Sequence, residues 1–147
     1  MIRPPANRIR DLPSGNVVSA RTIINAYRKT FGMRIWQGWG IFFFADAYYK
    51  EVDENAIAAV LAQDKTDAEQ YVQEYLDCDD FAFSLMGAFH KNEATSAMPI
   101  FITWVLTSEG GHAVLSYYKA GKVNIIEPQN DEIYPVPKSW KLLLLCG

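Results

Sequence analysis

Fourteen basic against 17 acidic residues give this 147-residue chain a net charge of −3, a balance that leaves no electrostatic footprint for nucleic acid. Half the residues are hydrophobic and 14% are aromatic, which excludes the polar, highly charged composition of disordered chains. Two cysteines, Cys78 and Cys146, are too few for a disulfide framework or an all-cysteine zinc site.

The N-terminal residues MIRPPANRIRDLPSG contain no apolar run of signal-peptide length, and no stretch approaches the length of a membrane span. The expectation is therefore a cytoplasmic protein with no membrane partner, or one exported by a route that leaves no local mark. A chain of this length is expected to form one domain, 1–147, that buries about two-thirds of the surface exposed when unfolded. Pro4, Pro5, Pro13 and Gly15 mark residues 1–18 as an irregular arm on that domain.

In chain order, Ser19 is expected to cap a helix from Ala20 that ends at Gly32, with Ile23, Ile24, Tyr27 and Phe31 at helical spacing. The segment 35–44, IWQGWGIFFF, reads as core, either a buried strand or an aromatic-rich loop. Asp53 and Asn55 precede a short helix over 56–63. Thr66 followed by Glu69 matches a capping box and predicts a second helix from Thr66 to about Leu76. Asp77 or Asp79 then restarts a helix through Phe89, broken near Asn92.

The last third changes character. Residues 99–106 are β-branched and aromatic, Gly110-Gly111 turns the chain, and His112 to Lys119 alternates towards a turn at Ala120-Gly121. Residues 122–127 return as a hairpin partner, and Trp140 to Leu145 closes the sheet. Helices first and strands second is the α+β pattern, with N-terminal helices packed on an antiparallel β-sheet.

The chemistry concentrates around YLDCDDFAFSL, residues 75–85. A free cysteine is ordinarily a small buried hydrophobe. At a helix N-terminus, however, the dipole and free N–H groups favour a thiolate and offer an oxyanion site. Three aspartates oppose this if they stand near the sulfur, unless capping turns them away. Of the two histidines, His90 lies twelve residues along the same helix, about 18 Å of rise from Cys78. His112, beside Gly110-Gly111, is the better base.

A two-residue turn at Ala120-Gly121 pairs Lys119 with Lys122, so opposed residues sum to 241. His112 then shares one face with Glu127 and Gln129, and either can orient it; Asn130 and Asp131 lie close by.

The motifs DCDDFA, GGHAV and IIEPQND together resemble those of the papain-like and transglutaminase-like cysteine peptidases. More narrowly, over residues 40–147, the chain is similar to the C-terminal protease domain of the Marasmius oreades agglutinin, a mushroom lectin, and to short bacterial and phage proteins carrying that domain alone. The resemblance implies a papain-like fold and a hydrolase acting on peptide or amide substrates through an acyl-enzyme. In it Cys78 matches the nucleophile, His112 the base and Glu127 the orienting acid. The papain signature glutamine is absent, since position 72 is valine, which leaves Gln73 or Tyr75 as candidate oxyanion donors. A cell-wall peptidoglycan amidase shares this triad order. A non-catalytic domain binding a partner through Trp36 to Phe44 is the contrasting class. No cofactor follows from the residues. Calcium is implied by the resemblance alone, since the Asp77–Asp80 stretch lacks EF-hand spacing.

Overall fold

The computed structural model describes residues 16–32 and 41–147. Most of the arm expected over 1–18, and residues 35–40 of the aromatic segment, lie outside them.

Helix α1, Ala20–Phe31, begins where expected: the Thr22 N–H donates to Ser19 Oγ at 3.2 Å, and Gly32 at φ 53° ends it. Its buried stripe is Ile23, Ala26, Tyr27 and Phe31. Helix α2, Glu54–Gln63, is capped by Asp53, whose Oδ1 accepts from the Asn55 N–H at 2.9 Å. Helix α3 spans Cys78–Lys91.

Two local expectations fail. In place of a helix from Thr66 to Leu76 there is one 3₁₀ turn, Thr66–Ala68. Asp64 Oδ2 takes the Thr66 N–H at 2.8 Å, and Glu74 sits at φ 62° in a tight loop closed by a Val72–Leu76 bridge. A left-handed residue and a bridge are incompatible with a continuing helix. In the aromatic segment, Phe42 and Phe44 pack inward but Phe43 is 61% exposed, as the alternation of a strand requires.

Six strands form one sheet in the order β2-β8-β4-β5-β6-β7. These are β2 Ile41–Phe43, β4 Ile100–Thr107, β5 Gly110–Lys119, β6 Lys122–Ile126, β7 Ile133–Pro135 and β8 Lys141–Cys146. A separate antiparallel ribbon joins β1 Val17–Ser19 to β3 Tyr48–Lys50. The β5–β6 register is the expected one, Lys119 opposite Lys122 and Leu115 opposite Ile126.

The expected architecture, a papain-like layer of N-terminal helices on an antiparallel sheet, is corrected. The sheet is mixed, because β2 runs parallel to β8, with Ile41 beside Leu144 and Cys146 beside Phe43. Helical elements also cover both of its faces. Leu85 and Phe89 of α3, with Ile57 and Val60 of α2, pack on Ile100, Ile102, Leu115 and Ile126. Tyr27 and Phe31 of α1 pack with Phe101, Val105, Val123 and Leu142. Successive residues of β4 point to opposite faces, so a strand buried on both sides reads as the near-continuous apolar run IFITWV, with Thr103 its one polar residue.

Candidate functional site

Cys78 is the first residue of α3, held there by Asp77 in an extended conformation (φ −116°, ψ −164°). The Asp77 N–H donates to Asp80 Oδ2 at 3.2 Å, and the Phe81 N–H closes the first turn on the Asp77 carbonyl at 3.1 Å. Asp79 is turned towards Asp77. The hydrogen bond between these carboxyls, followed by desolvation, raises the Asp79 pKa above its ordinary value. A second carboxyl close by disfavours the charged form of Asp79, which explains that direction.

His112 is the third residue of β5, opposite Val105 on β4. The hairpin before it is tightened by Thr107 Oγ1, which donates to the Gly110 carbonyl at 3.0 Å and accepts from the Glu109 N–H at 3.1 Å. Gly110 sits at φ 122°, a conformation suited to glycine. Glu127 follows β6 immediately and enters a closed turn. Its N–H donates to the Glu132 carbonyl at 2.9 Å, and its own carbonyl accepts from the Asp131 N–H at 2.9 Å.

These two segments bring His112 Nε2 to 2.9 Å from Glu127 Oε2, with side chains 23% and 12% exposed. In the neutral tautomer whose Nε2–H donates to Glu127, Nδ1 on the other side of the ring is a hydrogen-bond acceptor. Gln129 does not pair with His112 in the sheet, because β6 stops at Ile126, but it does reach the same cleft.

That cleft, of about 560 Å³, is lined by Cys78, His112, Gln129, Tyr71, Trp140 and the 107–111 hairpin. Cys78, His112 and Gln129 therefore share one cavity, with Glu127 behind the imidazole. Gln73 and Tyr75 do not line it: Gln73 is exposed and Tyr75 is 85% exposed, because the loop that replaces the expected helix turns them to solvent. Among the described residues no hydrogen bond joins Cys78 to His112, and Cys78 is a free thiol.

Three aromatic residues of the site lie outside the three motifs. The Trp140 ring meets His112 edge-on at 5.9 Å and Tyr134 edge-on at 6.1 Å. The Tyr134 hydroxyl donates to Glu127 Oε2 at 3.2 Å. Burial, followed by the Glu127 charge, pushes the Tyr134 pKa far up, so the hydroxyl remains a donor. Tyr71 stands across the cleft and stacks on Phe81 at 6.4 Å. Only the tryptophan at the mouth of a closing strand was a local signal.

A calcium site at the Cys78 motif does not fit. The ligand atoms of Asp77, Cys78 and Asp79 lie within 4.8 Å of one another, but calcium takes six to eight oxygens and a thiol supplies none. Asp131, in the turn that follows Glu127, is the other strained acidic group nearby. Its Oδ1 is buried without a partner, and its pKa is pushed up to about 6 by burial and by Asp67 and Asp64, with Lys65 opposing.

A second cleft, of about 490 Å³, lies beside the β1–β3 ribbon, between Val17, Val18, Tyr48, Val52 and Tyr118. Its charged groups Glu51 and Lys119 do not form a pair, since Lys119 reaches Glu54 instead.

No protein-family model and no curated protein sequence matches the chain. Solved structures do. One, titled as a PSL1a–E64 complex, superposes with a TM-score of 0.77 at 19% identity, covering 89% of this chain and 51% of that one. Another is the Polyporus squamosus lectin bound to the human-type influenza-binding epitope Neu5Acα2-6Galβ1-4GlcNAc, with a TM-score of 0.71 at 17% identity, covering 89% of this chain and 49% of that one. The chain thus spans about half the length of each, and at these identities what is shared is the fold.

These matches correct the functional expectation. The fold is that of a chain named as a lectin, and the assignments as a papain-like peptidase, a cysteine hydrolase or a cell-wall amidase give way, together with the peptide or amide substrate. Cys78 lies beside the carboxyl groups of Asp77 and Asp79. The lectin association is the part of the resemblance that these matches carry. Among the described residues no helix is long and apolar enough to cross a membrane.

Proposed function

We propose that the chain is a ligand-binding domain of the lectin-associated fold, that its binding site is the cleft between Tyr71 and Trp140, and that its ligand is a glycan. The observation carrying this reading is the composition of the cleft. An aromatic ring, Trp140, stands beside a hydrogen-bonding set, His112, Gln129 and Thr107, in a cavity of about 560 Å³. A few placed polar groups against aromatic walls is the usual build of a small-ligand site. Sugars present both matching surfaces, C–H faces for the ring and hydroxyls for the polar groups. The Polyporus squamosus lectin, which shares the fold, is bound to a sialylated trisaccharide.

Cys78, His112, Glu127 and Gln129 are the residues assigned to this site, with Glu127 acting through His112.

The test is a titration of the folded chain with Neu5Acα2-6Galβ1-4GlcNAc and with Galβ1-4GlcNAc, followed by NMR. Saturable shifts at Trp140, His112 and Gln129 are expected, and Trp140→Ala is expected to weaken binding roughly 10-fold or more. Absence of saturation by either glycan at millimolar concentration would overturn the glycan assignment.

A second reading rests on one specific observation: Cys78 opens into the same cleft as His112, and the PSL1a structure is a complex with E64. Under this reading E64 occupies the cleft and protects Cys78, but not Cys146, from iodoacetamide. Equal labelling of Cys78 with and without E64 excludes it.

A further inference from the structure

His112, Glu127, Tyr134 and Trp140 form a closed circuit. His112 Nε2 meets Glu127 Oε2 at 2.9 Å, and the Tyr134 hydroxyl meets the same oxygen at 3.2 Å. Tyr134 packs edge-on against Trp140, and Trp140 packs edge-on against His112. Both hydrogen bonds fall on Oε2, while Oε1 is buried with no partner. The carboxylate is therefore held from one side by two donors on two different strands.

We propose that Tyr134 is a positioning residue that locks Glu127 onto His112 Nε2, so that the cleft presents His112 Nδ1 as a hydrogen-bond acceptor and selects ligands that donate a hydroxyl there. Glu127 begins a turn, and a carboxylate bonded only to the imidazole is free to rotate about its side-chain torsions. A second donor from β7 removes that freedom, as outer partners of functional histidines generally do. Fixing the proton on Nε2 leaves only Nδ1 to face the cleft. The Tyr134 ring also supports Trp140, so the hydroxyl and the ring act on two sides of one imidazole.

The consequence for specificity deepens the glycan-binding reading and, for its ligand, rests on it. A hydroxyl hydrogen can be given to Nδ1 of the neutral imidazole, whereas a ligand offering only acceptors there is opposed. Once the imidazole is protonated, both nitrogens are donors and the preference inverts.

The test uses ¹⁵N-labelled histidine in the intact chain near pH 8, where pyrrole-like and pyridine-like nitrogens resolve the tautomer. Wild-type His112 is expected to show Nε2 pyrrole-like and Nδ1 pyridine-like. Tyr134→Phe keeps the ring on Trp140 but removes the hydroxyl, and is expected to move both nitrogens towards averaged shifts and weaken glycan binding roughly 3–10-fold, the loss of one hydrogen bond. Glu127→Gln serves as the reference for complete loss of the carboxylate. Wild-type spectra retained in a folded Tyr134→Phe variant would overturn the proposal. A tautomer change in a chain that binds no glycan would leave Tyr134 in its role and remove only the glycan assignment.

Discussion

Asp131 shows how the backbone and the charges around it combine at a single residue. It adopts φ 61°, a left-handed conformation that Asp and Asn tolerate better than most residues, and its Oδ1 is buried without a partner. Burial first, then Asp67 and Asp64, raise its pKa to about 6, against the nearby Lys65. The folded value stands above the ordinary carboxylate value near 4, so the native state holds this proton more tightly than the unfolded chain. Stability from this group is therefore greatest below about pH 4 and falls as pH rises through about 6. Asp131→Asn removes the charge and keeps the conformation. It is expected to raise the Tm at pH 7 by roughly 1–3 °C, a figure kept small because the side chain is partly solvated. A melting series from pH 4 to 8 checks this: the gain should shrink towards pH 4, and an unchanged gain there would show that the charge is not its origin. Trp140→Ala, which removes the edge contacts to both His112 and Tyr134, is expected to cost about 1–3 kcal/mol in urea unfolding as well as ligand affinity.

Between elements, α1 is joined to the sheet by a buried polar relay. The Tyr27 hydroxyl and Ser116 Oγ lie 2.6 Å apart, Thr103 Oγ1 lies 2.6 Å from the same Ser116 oxygen, and Thr103 and Ser116 are fully buried. Ser116→Ala deletes the shared partner. It leaves the Tyr27 hydroxyl dry, whereas Thr103 retains the Phe101 carbonyl at 3.3 Å. A loss of about 1–3 kcal/mol is expected. Tyr27→Phe should be milder, because it removes the stranded group itself. On the opposite face, Leu85→Ala in α3 opens a cavity at a fully buried position and should cost about 2–5 kcal/mol. Equilibrium urea titrations measure all three, and a Tyr27→Phe loss larger than that of Ser116→Ala would contradict the ordering.

At the scale of the molecule, β4 and β5 belong to both cores: Ile100 and Ile102 face α3, while Phe101 and Val105 face α1. A sheet shared in this way couples the two sides, so one cooperative unfolding transition is expected. Far-ultraviolet circular dichroism and tryptophan fluorescence should give the same midpoint, and separated midpoints would show that the cores unfold independently. Much of the architecture was legible locally. Ser19, Asp53 and Asp77 caps, the Ala120-Gly121 turn and the resulting 241 register depend on neighbours in the chain, and that register places His112 beside Glu127. The capping pattern at Thr66 misled, because Asp64 captured the Thr66 N–H and a left-handed Glu74 broke the segment, which put Gln73 and Tyr75 in solvent. Nor does local pattern tell a parallel partner from an antiparallel one, so the pairing of β2 with β8 emerged only when the chain ends of those strands met. The resemblance read in three short motifs pointed to Cys78 and His112, which share the cleft, whereas the matched structures carry the fold and not the chemistry read into those motifs. The sequence by itself determined the caps and the β5–β6 hairpin. Tertiary structure decided which side chains share a cavity, because Tyr71, Cys78, His112, Gln129 and Trp140 belong to separate segments whose approach depends on helices packing both faces of one mixed sheet.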